Sequence, residues 1–178
     1  EYVILDNLVY VLDANVFITA HRTYYSFDIA PGFWKALLKY AESGNIISID
    51  KVENELYKGH DPKNSKMPDK LAIWAKEKFK PYFKSTATED VIKEYKEIVQ
   101  WVSENNYYSP AVKNEFASSD LSDSWLVAFA KAYDNVLVTQ EKPSKTKAKV
   151  PIPNLCEQFN VPYVDTFQML RRLGIILN

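Results

Sequence analysis

Four short apolar runs punctuate the chain: Leu8–Leu12, Ile46–Ile49, Val136–Val138 and Pro162–Val164. They are rich in Val, Ile and Tyr and do not alternate strictly with polar residues. Runs that are apolar on both faces suit a central parallel sheet covered by helices, so these four segments predict buried strands. Helical spacing fills the intervals. Phe33, Trp34, Leu37, Leu38 and Ala41 form one apolar stripe, with Pro31 near its start and Gly44 as its stop. A short helix is predicted over Val52–Tyr57, with Asp50 as its cap and Glu53 three residues on. The same pattern recurs over Leu71–Phe79 and Val91–Val102, the latter preceded by Thr88, Glu89 and Asp90 as a cap and acidic first turn. Ser109-Pro110 opens a further helix. Trp125, Leu126, Ala128, Phe129 and Ala132 mark the next, and Thr166–Leu173, closed by Gly174, the last. Strands alternating with helices imply a three-layer α/β/α fold around a mostly parallel sheet.

No repeat and no linker divides the chain, so residues 1–178 read as one domain. The polar, Lys- and Pro-rich segments His60–Pro68 and Gln140–Pro153 read as surface loops. With 25% charged and 14% aromatic residues the chain does not have the composition of a disordered one. One cysteine, Cys156, excludes an intramolecular disulfide framework and a cysteine zinc cluster. No apolar run is long enough to span a bilayer, and Glu1–Asn7 shows no secretory signal, so a cytoplasmic location is expected. The net charge of −1 argues against a general electrostatic coat on nucleic acid but allows a local basic patch.

In an open parallel sheet, ligands bind beyond the carboxyl ends of the strands. The first predicted strand runs into Asp13, followed by Asn15. The second meets the helix bearing Glu53 and Glu55, and the third ends at Thr139, Gln140 and Glu141. Chain direction alone puts these three groups at one edge. Asp120 and Asp123 open the Trp125 helix, whose place topology leaves undecided. Carboxylates gathered at one edge repel each other unless a cation lies between them or some are protonated. Oxygen ligands without His or Cys suit Mg²⁺ or Mn²⁺, ions that bind phosphates and activate water for phosphodiester attack. Each acid taken singly could instead cap a helix or face solvent. The apolar strand leading into Asp13, however, leaves that carboxylate poorly solvated.

These residues also carry a family pattern. Tyr10-Val11-Leu12-Asp13-Ala14-Asn15-Val16-Phe17 resembles the opening motif of PIN-domain nucleases, and Val52-Glu53-Asn54-Glu55-Leu56 resembles their second. Asp123-Ser124-Trp125-Leu126-Val127-Ala128-Phe129-Ala130 resembles the third motif, and Val138-Thr139-Gln140-Glu141 the fourth. The four occur in the family's order. Ile152-Pro153-Asn154-Leu155-Cys156 and the Tyr24–Trp34 segment look like a PIN-like branch similar to toxins of prokaryotic toxin–antitoxin operons. The resemblance implies a PIN-like fold and a Mg²⁺- or Mn²⁺-dependent endoribonuclease acting on RNA, restrained by a cognate antitoxin. It makes Asp13, Glu55, Asp123 and Glu141 the catalytic, metal-binding acids, Glu141 standing where many family members have Asp. Asn15 and Thr139 become supporting residues that orient a carboxylate or a water. Glu53 lies about 200° from Glu55 around a helix and cannot share its site, while Asp120, three before Asp123, is a reserve ligand. A non-catalytic PIN-like module that binds RNA or a protein is the rival expectation.

Other residues bear on the substrate. Lys142, Lys145, Lys147 and Lys149 crowd next to Glu141 and could follow a phosphate backbone or form a solvated loop. His21 and Arg22 follow the first motif and read as helix-end residues. His60 is far from His21 in sequence, which argues against a His-based zinc site. Tyr24, Tyr25, Phe27, Tyr107 and Tyr108 fit core or interface better than base stacking. Cys156 fits a buried small hydrophobe. The stripe Val91, Tyr95, Ile98, Val102 fits the core better than a homodimer or antitoxin groove.

Overall fold

A computed structural model of the protein describes residues 8–58, 69–118 and 121–177. Five parallel strands form its sheet: β1 (Tyr10–Leu12), β2 (Ile46–Ile49), β3 (Phe83–Lys84), β4 (Val136–Val138) and β5 (Tyr163–Val164), in the order β3-β2-β1-β4-β5. Tyr10 is in register with Ile46 on one side and Val136 on the other. β1, β2 and β4 are buried along their whole length, as strands apolar on both faces must be. The helices are α1 (Ala14–Thr19), α2 (Pro31–Glu42), α3 (Asp50–Lys58), α4 (Lys70–Trp74), α5 (Glu89–Glu104), α6 (Pro110–Phe116), α7 (Ser122–Ala132), α8 (Ile152–Gln158) and α9 (Thr166–Arg172). α1 and α4 run on into π-helical turns at Ala20–Tyr24 and Ala75–Phe79. Layers of helix on both faces of the sheet make a three-layer α/β/α fold.

Two features depart from the sequence expectation. β3 carries no apolar run: it is a two-residue edge strand, half-buried at Phe83 and exposed at Lys84. Asp50 is the first residue of α3 rather than its cap. Its carboxylate is taken by Thr86, whose N–H donates to Oδ2 at 3.1 Å and whose hydroxyl donates to Oδ1 at 2.8 Å. That long-range pair outcompetes a local capping bond and ties the end of β3 to the start of α3. Elsewhere the end signals hold. Thr88 and Ser109 cap α5 and α6, and Gly44 (φ 84°) and Gly174 (φ 66°) stop α2 and α9 in the left-handed region that glycine tolerates. Asp165 and Gln168 add a reciprocal cap to α9.

The topology places the site. From β1 the chain steps outward to β2 and β3, then returns to the other side of β1 for β4 and β5. Right-handed crossovers therefore put the helices of the two halves on opposite faces. α2 packs on β2, and its Tyr40 hydroxyl donates to the Leu173 carbonyl after α9 at 2.6 Å, while α7 packs on β4 with α5 and α8 against it. The strand order reverses between β1 and β4, and there the carboxyl ends open a crevice. The stripe Val91, Ile98, Val102 is buried beneath α7, and Tyr95 stacks on Trp125 at 3.7 Å, so it is core. Among the described residues no helix is long and apolar enough to cross a membrane.

Candidate functional site

Asp13 leaves β1 at the reversal point, where its N–H donates to the Val138 carbonyl of β4 at 2.9 Å. It occupies the cap position of α1 with extended backbone, yet its side chain makes no capping bond. Instead the Thr139 hydroxyl donates to Asp13 Oδ2 at 3.1 Å, and Thr139 Oγ1 in turn accepts the Glu141 N–H at 3.2 Å. One hydroxyl thus orients the Asp13 carboxylate and anchors the backbone that presents Glu141. Asp13 is 2% exposed. Burial, the charge of Asp123, and those of Glu55 and Glu141 push its pKa up to about 7, against the hydrogen bond from Thr139.

Asp123 lies in the first turn of α7. A helix that feeds a parallel strand runs against it, so its start falls at the carboxyl edge, beside Asp13. Burial and then the charge of Glu141 push the Asp123 pKa up to about 6, with Glu55 adding and Lys149 opposing. Glu55, exposed on α3, accepts a hydrogen bond from the buried Ser122 hydroxyl at 2.7 Å. Glu141 accepts the Ile152 N–H at the start of α8 at 3.0 Å and forms an ion pair with Lys149. Four carboxylates from two strand ends and two helices therefore form one electrostatic cluster.

The donor set suits a hard divalent cation, being all carboxylate and partly desolvated. As placed, however, no group of three or more His, Cys, Asp or Glu side chains among the described residues surrounds a common point suited to an ion. Glu55 is turned to Ser122, and Glu141 to Lys149 and Ile152. Binding an ion would draw both away from those partners.

The model of a family described as "Domain of unknown function (DUF4411)" matches residues 10–177. The chain belongs to the DUF4411 family. No curated protein matches it. The match begins at β1 and runs past α9, so all four acids of the cluster lie within the DUF4411 region.

Other candidate residues of this DUF4411 domain fall away from the cluster. Asn15 is exposed in the first turn of α1 and hydrogen-bonds none of the acids. Glu53 accepts the Tyr57 hydroxyl at 2.8 Å on its own helix. Asp120 and His60 lie outside the described residues. The lysine segment is tied down rather than loose: the Ser144 N–H donates to Asn154 Oδ1 at 3.1 Å, and the Tyr107 hydroxyl donates to the Lys145 carbonyl. Within it Lys142 pairs with Asp165 at 3.6 Å and Lys147 lies over the Tyr107 ring. His21 packs against Phe27 and Trp34 within an aromatic cluster, and burial lowers its pKa. Arg22 is exposed on the adjoining π-helical turn, and Tyr24 is exposed, whereas Tyr25 stacks on Phe33. Cys156 is fully buried, and burial pushes its thiol up to about 12. Sequence reasoning missed Ser122 and the specific pairing of Lys149 with Glu141. The only sequence hint of the former is a small hydroxyl next to Asp123 at a helix start.

Proposed function

We propose that this DUF4411 protein is a Mg²⁺- or Mn²⁺-dependent endoribonuclease of PIN-like type, serving as the toxin of a toxin–antitoxin pair in the cytoplasm. The observation that carries the reading is the convergence of Asp13, Glu55, Asp123 and Glu141 at the strand-order reversal, with Asp13 and Asp123 holding protons more tightly than free carboxylates. The ordered resemblance of the four segments to PIN motifs supports it. Asp13 and Asp123 would hold the ion, with Glu55 and Glu141 completing the set. When bound, such an ion lowers the pKa of water and offsets charge on a phosphodiester undergoing displacement. The chain's own part is positional. Thr139 keeps one Asp13 oxygen oriented, Ser122 places Glu55 beside the start of α7, and the first turn of α7 favours the charge of Asp123. An antitoxin would act by covering the crevice.

One observation favours the rival, a non-catalytic binding module. Lys149 already pairs with Glu141 and partly offsets the upward shift of the Asp123 pKa, so the chain supplies part of the counter-charge itself. A gel assay with labelled single-stranded RNA separates the two readings, using wild type and Asp13→Asn with Mn²⁺, with Mg²⁺ and with chelator. The nuclease reading expects metal-dependent cleavage that falls by orders of magnitude in the variant. Absence of metal-dependent cleavage by the wild type supports the module, and equal cleavage by both proteins exposes a contaminant and removes Asp13 from the site.

A further inference from the structure

α3 borders the acidic crevice on the β2 side. Lys51, Asn54, Glu55 and Lys58 line a pocket of about 110 Å³ on this helix. Positions 51, 55 and 58 are four and three residues apart, so they share one stripe, while Val52 and Leu56 turn into the core. Along the axis, Lys51 stands about 6 Å to one side of Glu55 and Lys58 about 4.5 Å to the other. The Lys51 ammonium lies 5.1 Å from the Trp125 ring centre, and Trp125 stacks on Tyr95 with 8° between the planes. A rigid aromatic platform on α7, two residues from Asp123, thus carries the Lys51 cation.

Among the described residues neither Lys51 nor Lys58 forms an ion pair. In the segment after β4, Lys149 is held by Glu141 and Lys142 by Asp165, while Lys147 rests over the Tyr107 ring as Lys51 does over Trp125. Two lysines without a carboxylate partner among the described residues therefore flank Glu55 on α3. A lone anion in the pocket would face the Glu55 carboxylate. A chain of regularly spaced phosphates meets a lysine on each side of that carboxylate, and ammonium groups bind such phosphates as point charges.

We infer that the α3 stripe is a phosphate subsite in which Lys51 and Lys58 hold the backbone of a single-stranded nucleic acid on either side of Glu55. For the phosphate between them, facing the acids, the inference rests on the nuclease reading. The test is fluorescence anisotropy of a labelled single-stranded oligoribonucleotide in EDTA across a salt series, with wild type and a Lys51→Gln, Lys58→Gln double variant. Loss of two phosphate contacts should weaken binding about tenfold and make the slope of log affinity against log salt shallower by about 1.4. A Lys51→Arg, Lys58→Arg variant should restore both, and the Mn²⁺-induced melting shift should be the same in all three proteins. Unchanged affinity and slope in the Gln variant, or no binding by the wild type, overturns the subsite. So does a loss confined to a Lys142→Gln, Lys145→Gln, Lys147→Gln variant. Competition by polyglutamate as effective as that by unlabelled RNA overturns the nucleic-acid assignment. Wild type that lacks metal-dependent cleavage, while the Gln variant still binds RNA more weakly, sinks the nuclease reading and leaves the subsite standing.

Discussion

Asp13 is the residue at which burial and the proposed binding of an ion oppose each other most directly. Its native pKa, about 7, lies above that of a carboxylate in an unfolded chain, so the folded protein binds its proton more tightly. The stability this brings is fully present below the unfolded value and is lost as pH rises through about 7; Asp123 behaves alike up to about 6. His21, its pKa lowered by burial, works the other way, so the measurement is a comparison. In chelator, the wild-type melting temperature relative to that of Asp13→Asn should climb as pH is lowered from about 8 to about 5, each proton taken up contributing at most about 1.4 kcal/mol per pH unit. Scanning fluorimetry reads this directly, and parallel profiles would remove Asp13 as the titrating group. Thr139→Val keeps the shape but removes the donor to Asp13 Oδ2. At about pH 8 it should cost roughly 1–3 kcal/mol in urea denaturation, since a buried charged acceptor loses its partner.

At the scale of elements, two ties join segments that local signals treat as separate. Asp50 at the start of α3 accepts both hydrogen bonds from Thr86, just past β3. Asp50→Ala should release this edge strand and raise amide exchange at Phe83, Lys84 and Thr86, while the core amides of β1 and β4 stay protected; uniform deprotection would show a global rather than a local role. The second tie is Glu141, which accepts the first N–H of α8 and pairs with Lys149 from the intervening segment. Lys149→Gln removes the counter-charge from a cluster of four acids. Metal-free protein at about pH 8 should then melt earlier than wild type, and Mn²⁺ should stabilise it by a larger margin. An equal Mn²⁺ increment in both proteins would show that Lys149 and the ion do not compete.

Across the whole molecule, the reversal of strand order between β1 and β4 brings together acids separated by most of the chain. Their mutual repulsion is present only in the folded state, so an ion that relieves it adds folding stability. Mn²⁺ at about a hundred times its dissociation constant should add roughly 2.7 kcal/mol to the wild type. The Asp13→Asn, Asp123→Asn variant should show almost none of that shift, and an equal shift in both would place the ion elsewhere.

Much of this arrangement was legible in the residues themselves. β1, β2 and β4 are apolar on both faces, so their runs stand out, and chain direction alone puts Asp13, Glu55 and Glu141 at one edge of a parallel sheet. Glycine and cap signals marked the ends of α2, α5, α6 and α9 because they act within a turn or two of backbone. β3 escaped because two edge residues, one half-buried and one exposed, have no periodicity to read. Asp50 misled because a carboxylate at a helix start looks like a cap until a distant Thr86 claims it. Helix direction also brings the start of α7 to that edge, but tertiary structure alone decided that Asp123 comes close enough to Asp13 to raise its pKa, that Ser122 holds Glu55, and that one Thr139 hydroxyl serves both Asp13 and Glu141. Periodicity reports which face of an element is apolar. Which polar groups meet across 67 residues, as Glu55 and Ser122 do, or 126, as Asp13 and Thr139 do, depends on strand order and helix placement, which only the packed core determines.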